Sequence, residues 1–139
     1  MGSLLSASFG LMALLLPLQA YAQQVRPPIH VDASHKDVVG RRLGLEFQTQ
    51  LSQSPFFTMT DLESKAVFRL KLVTISNGKE DYVSTVYALT ITAMDPKNVE
   101  GPSYFMNSIV GFCGADRVRD CATDILAAVV SERNSLMGN

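Results

Sequence analysis

The chain has 139 residues, 47% of them hydrophobic and 18% charged, with a formal net charge of -1 from 12 Lys/Arg against 13 Asp/Glu. That length fits one domain, and that composition excludes a disordered or fibrous chain. The near-neutral charge, with cations clustered no more densely than in pairs, excludes bulk electrostatic attraction to nucleic acid or to an acidic membrane.

Residues 1–22 differ from the rest. Phe9 to Leu18 is an apolar run broken only by Gly10 and Pro17, and Ala20-Tyr21-Ala22 puts small residues at the -3 and -1 positions. That is the pattern of a secretory signal peptide cleaved before Gln23, although the n-region has no Lys or Arg. The run is shorter than the roughly 18 residues a membrane anchor needs. No cysteine lies near the cleavage point to carry a lipid. The expected product is exported, periplasmic or secreted, with no membrane anchor after cleavage. A chain of the remaining size buries about two-thirds of its unfolded surface and can fold without staples.

Residues 23–33 contain Pro27-Pro28 and few large apolar groups. Tandem prolines favour extended backbone, so this stretch reads as a flexible tether. Ser34-His35-Lys36-Asp37 fits a capping box with Ser34 as N-cap, and a helix is expected to about Ser52. Val39, Leu43, Phe47 and Leu51 form its stripe. Gly40 and Gly44, four apart, each cost about 1 kcal/mol in a helix interior and suggest close approach of another backbone.

Pro55 ends the helix. Phe56–Thr60 is short and β-prone, and Asp61–Ser64 reads as a turn. Ala66–Ile75 alternates: Ala66, Phe68, Leu70 and Leu72 face one way, Arg69 and Lys71 the other. Asn77-Gly78 marks a turn. Tyr82–Met94 is a second long strand, and its Tyr87, Leu89 and Ile91 should meet Phe68, Leu70 and Leu72 across an antiparallel hairpin. Pro96 and Pro102 bracket a polar loop. Ser103–Phe112 alternates poorly, as a strand covered on both faces, or a central one, would. A last helix follows Gly114, with Val118, Cys121, Ala122, Ile125, Leu126 and Val129 as its stripe. Residues 134–139 should fray. The fold class expected over residues 34–133 is a single α+β domain: a two-layer sandwich of order α-β-β-β-β-α, with a mostly antiparallel four-stranded sheet and two helices on one face.

Chemistry-bearing residues are few. Cys113 and Cys121 read either as a disulfide or as two half-buried thiols; the spacing is not that of a Cys-x-x-Cys redox site. Bridged Cα atoms lie within about 7 Å, so a bond requires the last helix to start late, near Arg117 or Val118. His30, Asp32, His35 and Asp37 are metal-capable but fall on a tether and a helix cap, so no metal site is expected. Asp116, Asp120 and Asp124 share a helix face and read as solvated rather than catalytic. No Gly-x-Ser-x-Gly elbow or phosphate loop is present. Arg41-Arg42, Arg69 and Lys71 are the best basic features for contact with an acidic partner. Against this stands a solvated strand face that resists edge association.

Val-Gly-Arg-Arg-Leu (39–43), Ser-Pro-Phe-Phe (54–57), Phe-Arg-Leu-Lys-Leu-Val-Thr (68–74), Tyr-Ala-Leu-Thr (87–90) and Val-Gly-Phe-Cys-Gly (110–114) follow one another in a familiar order. Over about residues 34–133 the pattern resembles small uncharacterised exported bacterial proteins with the layout of the CsgG, TolB N-terminal and LpoB-like envelope domains. The resemblance implies a non-enzymatic periplasmic module for protein interaction or assembly, whose partners are other envelope proteins. It carries over no catalytic residue, and no cofactor is expected. Two other functions stay open at this point. One is a small-ligand or glycan-binding module using Tyr82, Tyr87 and Tyr104. The other is a small hydrolase using carboxylates.

Overall fold

The computed structural model describes residues 25–138 except Lys79, Pro96 and Val99. The leader expected over 1–22 lies outside the described residues. These form β1 (Pro28–His35), α1 (Val38–Gln53), β2 (Thr58–Met59), a short 3-10 turn (Glu63–Lys65), β3 (Phe68–Ser76), β4 (Ser84–Ala93), β5 (Tyr104–Gly114) and α2 (Val118–Met137). The sheet is five-stranded, in the order β2-β1-β3-β4-β5. β2, β1 and β3 run parallel to one another, and β3, β4 and β5 antiparallel. The α+β class with both helices on one face stands; the four-stranded, mostly antiparallel sheet becomes a five-stranded mixed one.

The added strand is β1, in the segment that reads as a tether. It pairs with β3 from Ile29↔Phe68 to His35↔Thr74. Its prolines do not oppose this, because Pro28 is the first strand residue, where a missing N–H is tolerated. Ile29 is fully buried and Val31 and Ala33 pack on the core. Just ahead of it, the Arg26 guanidinium donates to the carbonyls of Ser54 (2.9 Å) and Phe57 (2.6 Å).

Because β1 pairs as far as His35, α1 starts later than the capping box suggests. Its N-cap is Asp37, not Ser34, which lies within β1. Asp37 is buried; Gly40 N–H donates to one carboxylate oxygen at 2.6 Å and the Thr85 hydroxyl to the other at 2.9 Å. One side chain thus satisfies an orphan helix donor and ties α1 to β4. The stripe Val39, Leu43, Phe47 and Leu51 is fully buried. Gly40 and Gly44 do mark close approach, though of side chains: a Cβ at Gly40 would strike the Thr74 hydroxyl, and one at Gly44 the His35 ring.

The β3–β4 hairpin runs in register from Phe68↔Ala93 to Ser76↔Thr85. Phe68, Leu70, Leu72, Tyr87, Leu89 and Ile91 are buried on its helix-facing side. Phe57 meets Phe68 edge-on, ring centroids 5.7 Å apart. β5 is an edge strand rather than a central one. Its alternation is blurred because the register slips between Ile91 and Thr92, which leaves Met106 as an extra residue and flips the facing pattern there. α2 continues through the positions expected to fray and ends at Gly138, with φ 63°. α1 packs on β1, β3 and β4, and α2 on α1 and β5.

Truncating the core tests this packing. Leu89→Ala should cost about 2–5 kcal/mol in urea unfolding, since the cavity lies between hairpin and helices. A second test is acid. Burial lowers the His35 pKa below its ordinary 6.5, Asp37 opposes that shift, and Arg41 adds to it. The unfolded chain therefore binds a proton the folded one refuses, so this stability is present above the unfolded pKa and is lost as pH falls toward the folded one. The urea midpoint should fall as pH drops below about 6.5, and less steeply in His35→Gln. A slope unchanged by the substitution contradicts the assignment.

Candidate functional site

The helices cover one sheet face and leave the other open. On the open face, the register lines side chains up in rows across the strands. Ile75, Val86 and Phe112 make one row; Ser34, Val73, Ala88 and Val110 the next. Then come Asp32, Lys71, Thr90 and Ser108, and last His30, Arg69, Thr92 and Phe105. The face is therefore divided along the strands. One half is apolar, with Phe112 59%, Val110 71% and Ile75 49% exposed. The other half is polar except for Phe105 at the β5 edge.

The polar half is a cleft of about 520 Å³ between β1, β3, β4, the 3-10 turn and Ser103. Arg69 lies 3.6 Å from the Glu63 carboxylate, and its Nε is buried with no hydrogen-bond partner among the described residues. His30 Nδ1 is 3.1 Å from the Thr60 carbonyl, which requires Nδ1 to carry the proton and leaves Nε2 as the acceptor in the neutral ring. Arg69 and Lys71 are matched by Asp32 and Glu63, so the cleft has no net formal charge. It can pair with donors and acceptors of a polar chain or with both ends of a zwitterion; it does not draw anions from a distance.

Of the four basic residues read from sequence, Arg69 and Lys71 share this cleft. Arg41 and Arg42 are exposed on α1, in the other layer, so the structure does not bring the four together. His30 and Asp32 join the open face, whereas His35 faces the helices and Asp37 caps α1. No group of three metal-capable side chains converges among the described residues. Asp116, Asp120 and Asp124 are exposed, and Asp120 is 3.8 Å from Arg117. The three tyrosines do not share a cavity. Tyr87 is buried with its ring over Gly111, and Tyr82 and Tyr104 are exposed near opposite ends of β4. A second groove of about 510 Å³, with an apolar wall of Phe56, Leu126 and Val130, lies between the helices. Sequence reading missed the apolar half of the open face. Its signal was present as the second alternating set in each strand, Val73/Ile75, Val86/Ala88 and Val110/Phe112, but it becomes a patch only once the register is known.

Cys113 and Cys121 are paired as a disulfide, Cα atoms 6.2 Å apart. The late helix start that such a bridge demands is present, since α2 begins at Val118 with Arg117 as its cap. The Ala115 N–H donates to the Val83 carbonyl at 2.9 Å and the Arg117 N–H to Gly114 at 3.0 Å, which turn the chain back before the helix.

No protein-family model matches the chain. No curated protein matches it either. Among solved structures, it is similar to the hypothetical protein CT253 of Chlamydia trachomatis, at 6% identity and a TM-score of 0.43, over 65% of this chain and 73% of that one. It is also similar to lipoprotein GNA1162 of Neisseria meningitidis, at 12% identity and a TM-score of 0.40, over 78% of this chain and 99% of that one.

Opening the bridge gives the prediction for this corner. The short loop it closes is worth about 2.5 kcal/mol on the chain-entropy account. The double variant Cys113→Ala/Cys121→Ala should lose stability of that order, and thiol titration of unreduced, denatured wild type should find no free thiol.

Proposed function

We propose that the protein is a non-enzymatic protein-contact module of the bacterial cell envelope, exported by its leader and acting through the uncovered sheet face. The observation that carries this reading is the apolar half of that face, running from Ile75 and Val86 to Val110 and Phe112 at the sheet edge. Contiguous apolar surface kept in water is costly and marks an interaction site. The polar cleft beside it supplies satisfied and half-satisfied hydrogen-bonding groups of the sort found at an interface rim. The Cys113–Cys121 bridge fits an oxidising compartment. The resemblance to envelope domains points the same way, with other envelope proteins as the class of partner. A small-ligand module is the second reading, favoured by the cleft of about 520 Å³ around Arg69. The aromatic side chains that a glycan site would use are not in it.

In-cell photocrosslinking separates the two. A photoreactive residue at position 110 should give discrete adducts with envelope proteins, whereas one at Leu45, 62% exposed on the helix layer, should not. Adducts at neither position, or at Leu45 alone, would sink the proposal. A cytoplasmic partner would remove its envelope setting.

A further inference from the structure

β5 is the outermost strand on its side of the sheet and is 11 residues long. It contains no charged residue and no proline. The other edge is β2, only two residues long. Edge strands of monomers are normally blunted by charge, proline, a bulge or a covering segment, because their free N–H and C=O groups template further pairing. The bulge at Met106 blunts only the beginning of β5. From Asn107 to Gly114 it is regular and uncharged, with Ser108, Val110 and Phe112 on the open face.

We infer that β5 pairs with β5 of a second copy of this chain, antiparallel across a two-fold axis, so that two sheets become one. This rests on the reading of the open face as a protein-contact surface and names the occupant of its β5 side. β5 is self-complementary in this arrangement. A two-fold pair must place each residue opposite a counterpart on the same face. With Ile109 on the axis, Ser108 of one copy meets Val110 of the other, both on the open face. The extra residue at Met106 then brings Phe105 opposite Phe112 of the second copy, again on the open face and twice per dimer. Cross-strand aromatic pairs are among the favourable ones, and an uncharged strand brings no like charges together.

The exposed area along this edge is of the same order as a small interface. Phe105 and Phe112 are 67% and 59% exposed. At about 150–250 Å² per aromatic side chain, these residues of two copies offer roughly 400–600 Å². Val110, 71% exposed, and the paired backbone add to this and bring the interface toward the ~1,000 Å² that a specific one needs.

Light scattering on the mature, exported protein tests this. Wild type at micromolar concentration should have twice the chain mass. Val110→Lys should have the single mass with an unchanged circular dichroism spectrum, since its side chain is solvent-facing and its loss opens no cavity. Leu45→Lys, on the helix layer, should stay dimeric. In a chain otherwise wild type, a photoreactive residue at position 110 should crosslink to β5 of the second copy. A protein monomeric at about 100 µM overturns the inference; so does a dimer that Val110→Lys leaves intact. In either case the contact reading survives if position 110 still crosslinks to another envelope protein, and fails with the inference if it does not.

Discussion

Two helices cover one face of a five-stranded sheet, and the described chain has only two. Most of the molecule follows from this constraint. The helix-facing residues of β3 and β4, from Phe68 to Leu72 and from Tyr87 to Ile91, can be wholly apolar because α1 and α2 exclude water from them. The same strands must meet water on their other side. They meet it unevenly: β3 offers Arg69 and Lys71 toward one end and Val73 and Ile75 toward the other. Fold stability asks only for solubility on that side. The apolar end is therefore not a requirement of folding.

The parts of this arrangement legible in the sequence were those set by local periodicity. The α1 stripe, the two long alternating strands and the α2 stripe each carry their own signal within a dozen residues. β1 did not, because its stability comes from elsewhere. Its partner Phe68 is distant in sequence from Ile29, and Ala33 and Ser34 have little strand preference of their own. The misplaced cap has the same origin. Ser34 and Asp37 are both good N-caps, and only the pairing of His35 with Thr74 decides between them. β5 was misread because one bulge and a few exposed apolar side chains imitate a strand covered on both faces. At the candidate site, Arg69 and Lys71 were legible as facing away from the core. That Arg41 and Arg42 lie on the other layer required knowing which way the helix turns its polar face.

The N-terminal arm shows a related economy. Arg133 is buried, and no carboxylate pairs with it among the described residues. Its guanidinium donates instead to the Val25 carbonyl and the Asn134 side chain, both at 2.9 Å, and lies 5.7 Å from the Phe56 ring centre. A ring face offsets part of the desolvation of a buried cation. Arg26 does the same on the facing side, through the carbonyls of Ser54 and Phe57. Two arginines thus hold backbone rather than acid, and between them they lock the entry to β1, the strand that makes the sheet mixed.

The disulfide belongs to the same logic at the other edge. An inner strand is held straight by ladders on both sides; among the described residues β5 has β4 on one side and no strand on the other. Its first half carries a bulge and can twist. Its second half ends at Cys113, fixed to the first turn of α2, while the Gly114–Arg117 turn is held by hydrogen bonds to Val83 and within itself. Gly111 lets the ring of Tyr87, its register partner on β4, lie across the strand, where any Cβ would strike it. The segment from Asn107 to Gly114 is therefore restrained from below by the tyrosine and at its end by the bridge, without a second strand. An edge held in this way loses little conformational freedom when another strand adds to it. The features that make up for the missing neighbour also prepare the strand to receive one.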